Sequence, residues 1–92
     1  MSSYGPAIAD LSILLKMTPN RGDAYVIRGL SNAALKRHEQ AVEDFSKALE
    51  IDSENMVIYL HRAKSYEKLG RFDMAGKDNK HYERKVGGRP LL

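Results

Sequence analysis

The chain has 92 residues, 42% of them hydrophobic, which is enough for one small domain. At this size only about 60–65% of the unfolded surface is buried on folding, too little to wall off a deep catalytic cavity, so a multi-domain enzyme and a doubly wound nucleotide fold are excluded. Fifteen basic residues against twelve acidic ones leave a net charge of +3, and the lack of cysteine rules out a disulfide scaffold, a thiol catalyst and any thiolate metal site.

Met1-Ser2-Ser3 carries no basic leader, and no apolar run approaches the roughly 20 residues that span a bilayer. The expectation is a cytoplasmic protein without a membrane segment, with the nucleus also open. Pro6 stands where proline suits a first helical turn, and Ala7, Ile8, Leu11, Leu14 and Leu15 then recur at helical spacing. Thr18-Pro19-Asn20-Arg21-Gly22 breaks this segment. A second segment carries Tyr25, Val26, Ile27, Leu30, Ala34 and Leu35, and Lys36-Arg37-His38 is a short break. A third carries Ala41, Val42, Phe45, Ala48, Leu49 and Ile51, followed by the turn Asp52-Ser53-Glu54-Asn55. A fourth holds Val57, Ile58, Tyr59, Leu60, Ala63, Tyr66 and Leu69, and Gly70 stops it. A fifth has a sparser stripe of Phe72, Ala75, Tyr82 and Val86, and Gly87-Gly88-Arg89-Pro90 cannot continue a helix. No segment alternates with period two, so the reading is all-α, built of antiparallel helices.

A shift of 34 residues lays the chain on itself. Tyr25 meets Tyr59, Arg28 meets Arg62, Ser31 meets Ser65, Leu35 meets Leu69, Ala41 meets Ala75 and Asp44 meets Asp78. The same shift carries the first helix onto the third: Ala7 onto Ala41, Asp10 onto Asp44, Ser12 onto Ser46, Leu15 onto Leu49. The middle unit reads Tyr25-x-x-Arg28-Gly29-x-x-Asn32, then Ala41-x-x-x-Phe45 and Ala48. The next reads Tyr59-x-x-Arg62-Ala63-x-x-Tyr66, then Leu69-Gly70, Phe72 and Ala75. A 34-residue helix–turn–helix unit with this pattern resembles the tetratricopeptide repeat (TPR) family.

The resemblance implies a short right-handed α-solenoid of about five helices. Residues 1–86 form the repeat domain, with a half repeat at 4–19, a full repeat at 22–53 and a last repeat at 56–86 closed by a polar capping helix; 87–92 are a flexible tail. Gly29, Ala63, Ala41, Ala75 and Ala48 are small where helices cross closely, and Tyr25, Phe45, Tyr59 and Tyr66 fill the space between them. Arg28 with Asp44 and Arg62 with Asp78 read as structural ion pairs between neighbouring helices; the alternative is an arginine facing the groove to hold a ligand carboxylate. The chain departs from the pattern by starting in mid-repeat, by placing Asn32 where the family has Tyr, and by placing Asn79 where Phe would sit. About two and a half repeats leave Ile8, Leu11, Ile13 or Leu15 of the first helix partly uncovered, which points to a longer parent protein or a homodimer through that face.

Catalysis has little support. His38, His61 and His81 are too far apart in sequence to form a helical metal pair, and Glu39, Glu43 and Glu50 make a solvated face, with Glu43 and Lys47 as an i,i+4 pair. Arg21-Gly22-Asp23 reads as an interhelix turn. No enzyme activity, metal or cofactor is expected. The family resemblance implies instead a scaffold for protein contact, with the first helix of each unit lining a concave side. Its groove positions fall on Val26, Leu30, Ala33 and Ala34, then on Val57, Leu60, His61, Lys64 and Lys68. A peptide with hydrophobic anchors and an acidic residue suits such a surface. In the competing reading, Val26 and Leu30 pack on a missing or exchanged helix. Ile27, Leu30, His61 and Lys64 stand where some relatives clamp acidic chaperone tails, but the clamp asparagines are absent. The entire net charge lies in residues 71–92, so the alternative function is RNA binding through Lys77, Lys80, Arg84 and Lys85, with Tyr82 to stack on a base.

Overall fold

The computed structural model describes residues 3–86, and these form five helices: α1 (Tyr4–Met17), α2 (Gly22–Ala34), α3 (His38–Ile51), α4 (Met56–Lys68) and α5 (Phe72–Val86). The tail expected at 87–92 lies outside the described residues. Each boundary has a local cause. Pro6 lies in the first turn of α1, where no intrahelical donor is lost. Asp23, Glu39 and Asp73 place negative charge in the first turns of α2, α3 and α5. Thr18 closes α1, its backbone N–H and its hydroxyl both donating to the Leu14 carbonyl. His38, assigned to a break from the sequence, is instead the first residue of α3.

The two shorter turns, 35–37 and 69–71, are copies of one another. Lys36 N–H donates to Ala33 O at 2.9 Å and Arg37 N–H to Asn32 O at 2.8 Å; Gly70 N–H donates to Glu67 O at 3.0 Å and Arg71 N–H to Tyr66 O at 2.8 Å. This paired bonding is the Schellman closure, which needs a left-handed residue after the helix. Gly70 supplies it at φ 76° without cost, whereas Lys36 adopts φ 65° while carrying a Cβ.

Each helix packs on its neighbours in sequence, with the α2/α3 and α4/α5 pairs packing most extensively. The helices α2 and α4 also approach each other directly, while α1 and α3, and α3 and α5, do not come within 8 Å between Cα atoms. Helices that touch on one side and splay on the other make a curved array, so α2 and α4 line its inner side. The outline is elongated, 43 × 26 × 22 Å.

The core follows the repeat. Ala41, Phe45, Ala48, Leu49 and Ile58 are buried together, with Tyr25, Val26, Ala33 and Tyr59 packed against them. A second cluster joins Val42, Ala63, Tyr66 and Ala75, with Leu69 alongside. A Cβ built on Gly29 would stand 2.6 Å from Cε1 of the fully buried Phe45, so the glycine is what lets α2 cross α3 this closely. In the last repeat, Asn79 replaces the phenylalanine and Ala63 replaces the glycine.

The uncovered face of α1 differs in detail from the sequence reading. Ile13 is 60% exposed and Met17 is 75% exposed, and Ile8 and Leu11 are half-buried, but Leu15 is buried. Among the described residues α1 packs only on α2, so the side of α1 carrying Leu15 is the side turned to that helix. Lys47 Nζ lies 3.6 Å from Glu50 Oε1, so its ion pair is i,i+3 toward Glu50 rather than the pairing with Glu43 expected from spacing.

Candidate protein-binding groove

Two ion pairs, one per repeat, tie the helices of the array together. Arg28 donates through Nε and Nη2 to the two Asp44 oxygens at 3.0 and 2.7 Å, and through Nη1 to Ser12 Oγ at 3.0 Å. Arg62 repeats this with Asp78 at 2.8 and 2.8 Å and with Ser46 Oγ at 3.0 Å. Each arginine thus joins three successive helices. Both carboxylates are buried, and their hydrogen bonds raise the arginine pKa values and hold the guanidinium groups protonated. The expectation of structural pairs holds, and neither arginine is among the residues lining the groove.

Between α2 and α4 lies a cleft of about 220 Å³. Helix α2 contributes Leu30 and Ala33, α3 contributes His38 and Phe45, and α4 contributes His61, Lys64, Ser65 and Lys68. Phe45 and His61 stack with ring centroids 5.7 Å apart. Lys64 and Lys68 are exposed and one turn apart, and no acidic side chain lines the cleft. Burial, followed by the charge of Lys64, holds the His61 pKa below its ordinary value of 6.5. The site is therefore an apolar hollow with a cationic edge.

Of the nine groove positions read from the sequence, Leu30, Ala33, His61, Lys64 and Lys68 come together in this cleft. Val26 is half-buried against the first core cluster. Ala34 and Val57 are exposed outside the cleft, and Leu60 is half-buried. The structure adds His38 and Ser65 to the sequence-derived positions, while Phe45, read from the sequence as filling the space between helices, is fully buried and forms the floor of the cleft. The signal for His38 is its place two turns before Phe45 on one face of α3. Ile27, which is 50% exposed, extends the apolar stripe of α2 one turn from Leu30.

Other sequence candidates are dispersed. Arg21 and Asp23 pair with each other at 2.9 Å across the turn before α2. Lys77, Lys80 and Arg84 are exposed on α5, while Lys85 lies 3.7 Å from Glu54 and Tyr82 is half-buried. Among the described residues there is no group of three or more His, Asp or Glu able to hold a metal, and no helix long and apolar enough to cross a membrane.

The family model described as TPR repeat matches residues 22–70, the span holding α2, α3, α4 and the turns between them. The chain belongs to the TPR repeat family. The protein unc-45 homolog B of Xenopus tropicalis is 36% identical over 80 residues, covering 84% of this chain and 9% of that protein; the Xenopus laevis protein matches equally. The chain thus spans about a tenth of the length of these curated relatives. Two solved structures superpose closely: MamA, with a TM-score of 0.87, 26% identity and coverage of 91% of this chain and 49% of that one, and the Arabidopsis OM64 TPR domain, with a TM-score of 0.86, 26% identity and coverage of 94% and 71%. TPR domains are, in general, protein–protein interaction modules. The five helices in antiparallel pairs are the TPR solenoid.

Proposed function

We propose that this chain is a non-catalytic adaptor module whose groove between α2 and α4 takes an extended peptide carrying an apolar anchor and an acidic residue. The observation that supports this best is the composition of the cleft. Leu30 and Ala33 offer apolar surface for an anchor above the buried Phe45, and Lys64 and Lys68 stand at the edge with no carboxylate among the lining residues. A hollow of this kind binds through the buried anchor, while the exposed charges set orientation and association rate. The proposed contact residues are Leu30, Ala33, His61, Lys64 and Lys68, with Ala34, Val57, Leu60 and Ile27 extending the surface along the inner helices; Val26 supports it from behind.

The test is fluorescence anisotropy with a labelled peptide alternating leucine and aspartate, against a control with lysine in place of aspartate. The reading predicts binding of the acidic peptide alone. Leu30→Glu should abolish it, and the double variant Lys64→Glu with Lys68→Glu should weaken it about tenfold, from two rim pairs of up to about 1 kcal/mol each. Equal binding of both peptides, or indifference to these variants, would contradict the proposal.

A further inference from the structure

Among the buried positions at which the two repeats differ is Asn32, the counterpart of Tyr66, and beside it lies a second cleft that shares no residue with the groove. Moved back by 34 residues, the second core cluster of Val42, Ala63, Tyr66 and Ala75 falls on Ile8, Gly29, Asn32 and Ala41. In the later repeat the buried Tyr66 ring has its centroid 5.7 Å from the Arg62 guanidinium, which also lies 5.7 Å from the Tyr59 ring. In the earlier repeat Arg28 lies 5.6 Å from the Tyr25 ring, but the second ring has no counterpart. Asn32 stands in its place, its amide donating to Asp44 Oδ2 at 3.0 Å.

Asparagine is shorter than tyrosine by a whole ring, and a cleft of about 230 Å³ marks the difference. Ile8 and Ser12 of α1, Arg28 and Asn32 of α2, and Glu43 and Asp44 of α3 line it. Ile8 is half-buried, whereas its counterpart Val42 is buried beside Tyr66.

We propose that this cleft is a binding site for a phenolic ring, supplied by a tyrosine side chain of a partner or by a small free phenol. The chain carries the template for the complex in its own later repeat. The volume is sufficient, since a protein cavity of about 150 Å³ holds benzene. The chemistry is complementary as well. Three of the five N–H donors of Arg28 are given to Asp44 and Ser12, which fixes the guanidinium in place; with Tyr25 near it as Tyr59 is near Arg62, its flat face is the surface that attracts a second aromatic ring. Ile8 supplies apolar contact, and the Glu43 carboxylate at the lining is an acceptor for the hydroxyl.

The experiment is titration of the whole chain with p-cresol, the tyrosine side-chain analogue, and separately with N-acetyl-tyrosinamide, read by ¹⁵N NMR at the Asn32 side-chain amide and Arg28 Nε. The expected result is a saturable shift at these two groups with a dissociation constant on the order of 1–10 mM, the range of a weak small ligand. Asn32→Tyr should abolish it by filling the cleft from α2, and Ile8→Phe by filling it from α1, where the half-buried position tolerates the change. Tyr66→Asn should create a second response at Arg62 Nε. Binding of both probes shows that the cleft accepts a tyrosine carried on a backbone, and binding of p-cresol alone restricts it to a free phenol; either supports the site. No saturable shift with either probe, or shifts that persist in a folded Asn32→Tyr or Ile8→Phe protein, would overturn it.

Discussion

Lys36 and Gly70 occupy the same turn, 34 residues apart, with the same hydrogen bonds and nearly the same positive φ. A side chain in the left-handed region costs roughly 1–2 kcal/mol, partly offset by the greater entropy glycine loses on folding. Lys36→Gly should therefore stabilise the chain by about 0.5–1 kcal/mol, seen as a rise in the urea midpoint with unchanged slope. Asp44 works in the other direction. It is buried and accepts from Arg28 and Asn32, so Asp44→Ala strands a partly buried guanidinium and should cost about 2–4 kcal/mol. In a domain of this size that is a fall in melting temperature of more than about 10 °C. His61 adds a pH dependence. Its folded pKa is lowered by burial and by Lys64, so the unfolded chain takes up the proton at higher pH than the folded one. Its contribution to stability is complete above about pH 6.5 and is lost as the pH falls below that. Denaturation midpoints should drop from pH 7.5 to pH 5, and His61→Phe should reduce that slope.

At the scale of helices, α2 crosses α3 with Gly29 directly against Phe45. Gly29→Ala would gain about 1 kcal/mol of helix propensity but would press a methyl group into a ring that has no room to move. We expect a net loss of about 1–2 kcal/mol in chemical denaturation, whereas the counterpart position in α4 already holds Ala63. The five helices, the turn residues and the aspartate partners of both arginines were legible in the sequence because they recur at a fixed offset, and a recurring pair such as Arg28 with Asp44 names its own contact, whereas the serine partners Ser12 and Ser46 appeared there only as a repeated residue. The side of an inner helix that faces outward was harder to read. Val26 and Leu30 are four residues apart and both apolar, yet Val26 packs against Phe45 and its neighbours while Leu30 stays 40% exposed. That partition depends on where α3 and α4 lie around α2, which periodicity does not encode. His38 was missed for a related reason: it lies at the very start of α3, where a break and a helix read alike, and only the return of α4 beside it makes it part of a cleft. The second cleft was foreshadowed by the departure Asn32, but its walls come from Ile8 and Glu43 on helices that the departure does not mention.

For the whole molecule, the contact of α2 with α4 and the separation of the outer helices create a curved array whose inner side is apolar at α2 and cationic at α4. The arginine links join each helix triplet and involve no residue of the groove, so changes in the groove should leave the array intact. Single variants at the exposed Lys64 and Lys68 should alter binding without moving the melting temperature by more than about 4 °C, since exposed substitutions stay within about 0.5 kcal/mol. The central claim is that the inner surface, and not the outer helices, receives a partner. Its most direct test is amide chemical-shift mapping of the ¹⁵N-labelled chain with the acidic leucine–aspartate peptide. We predict shifts concentrated at Leu30, Ala33, His61, Lys64 and Lys68. Shifts confined to α1 or α5, with these five unmoved at saturation, would contradict it.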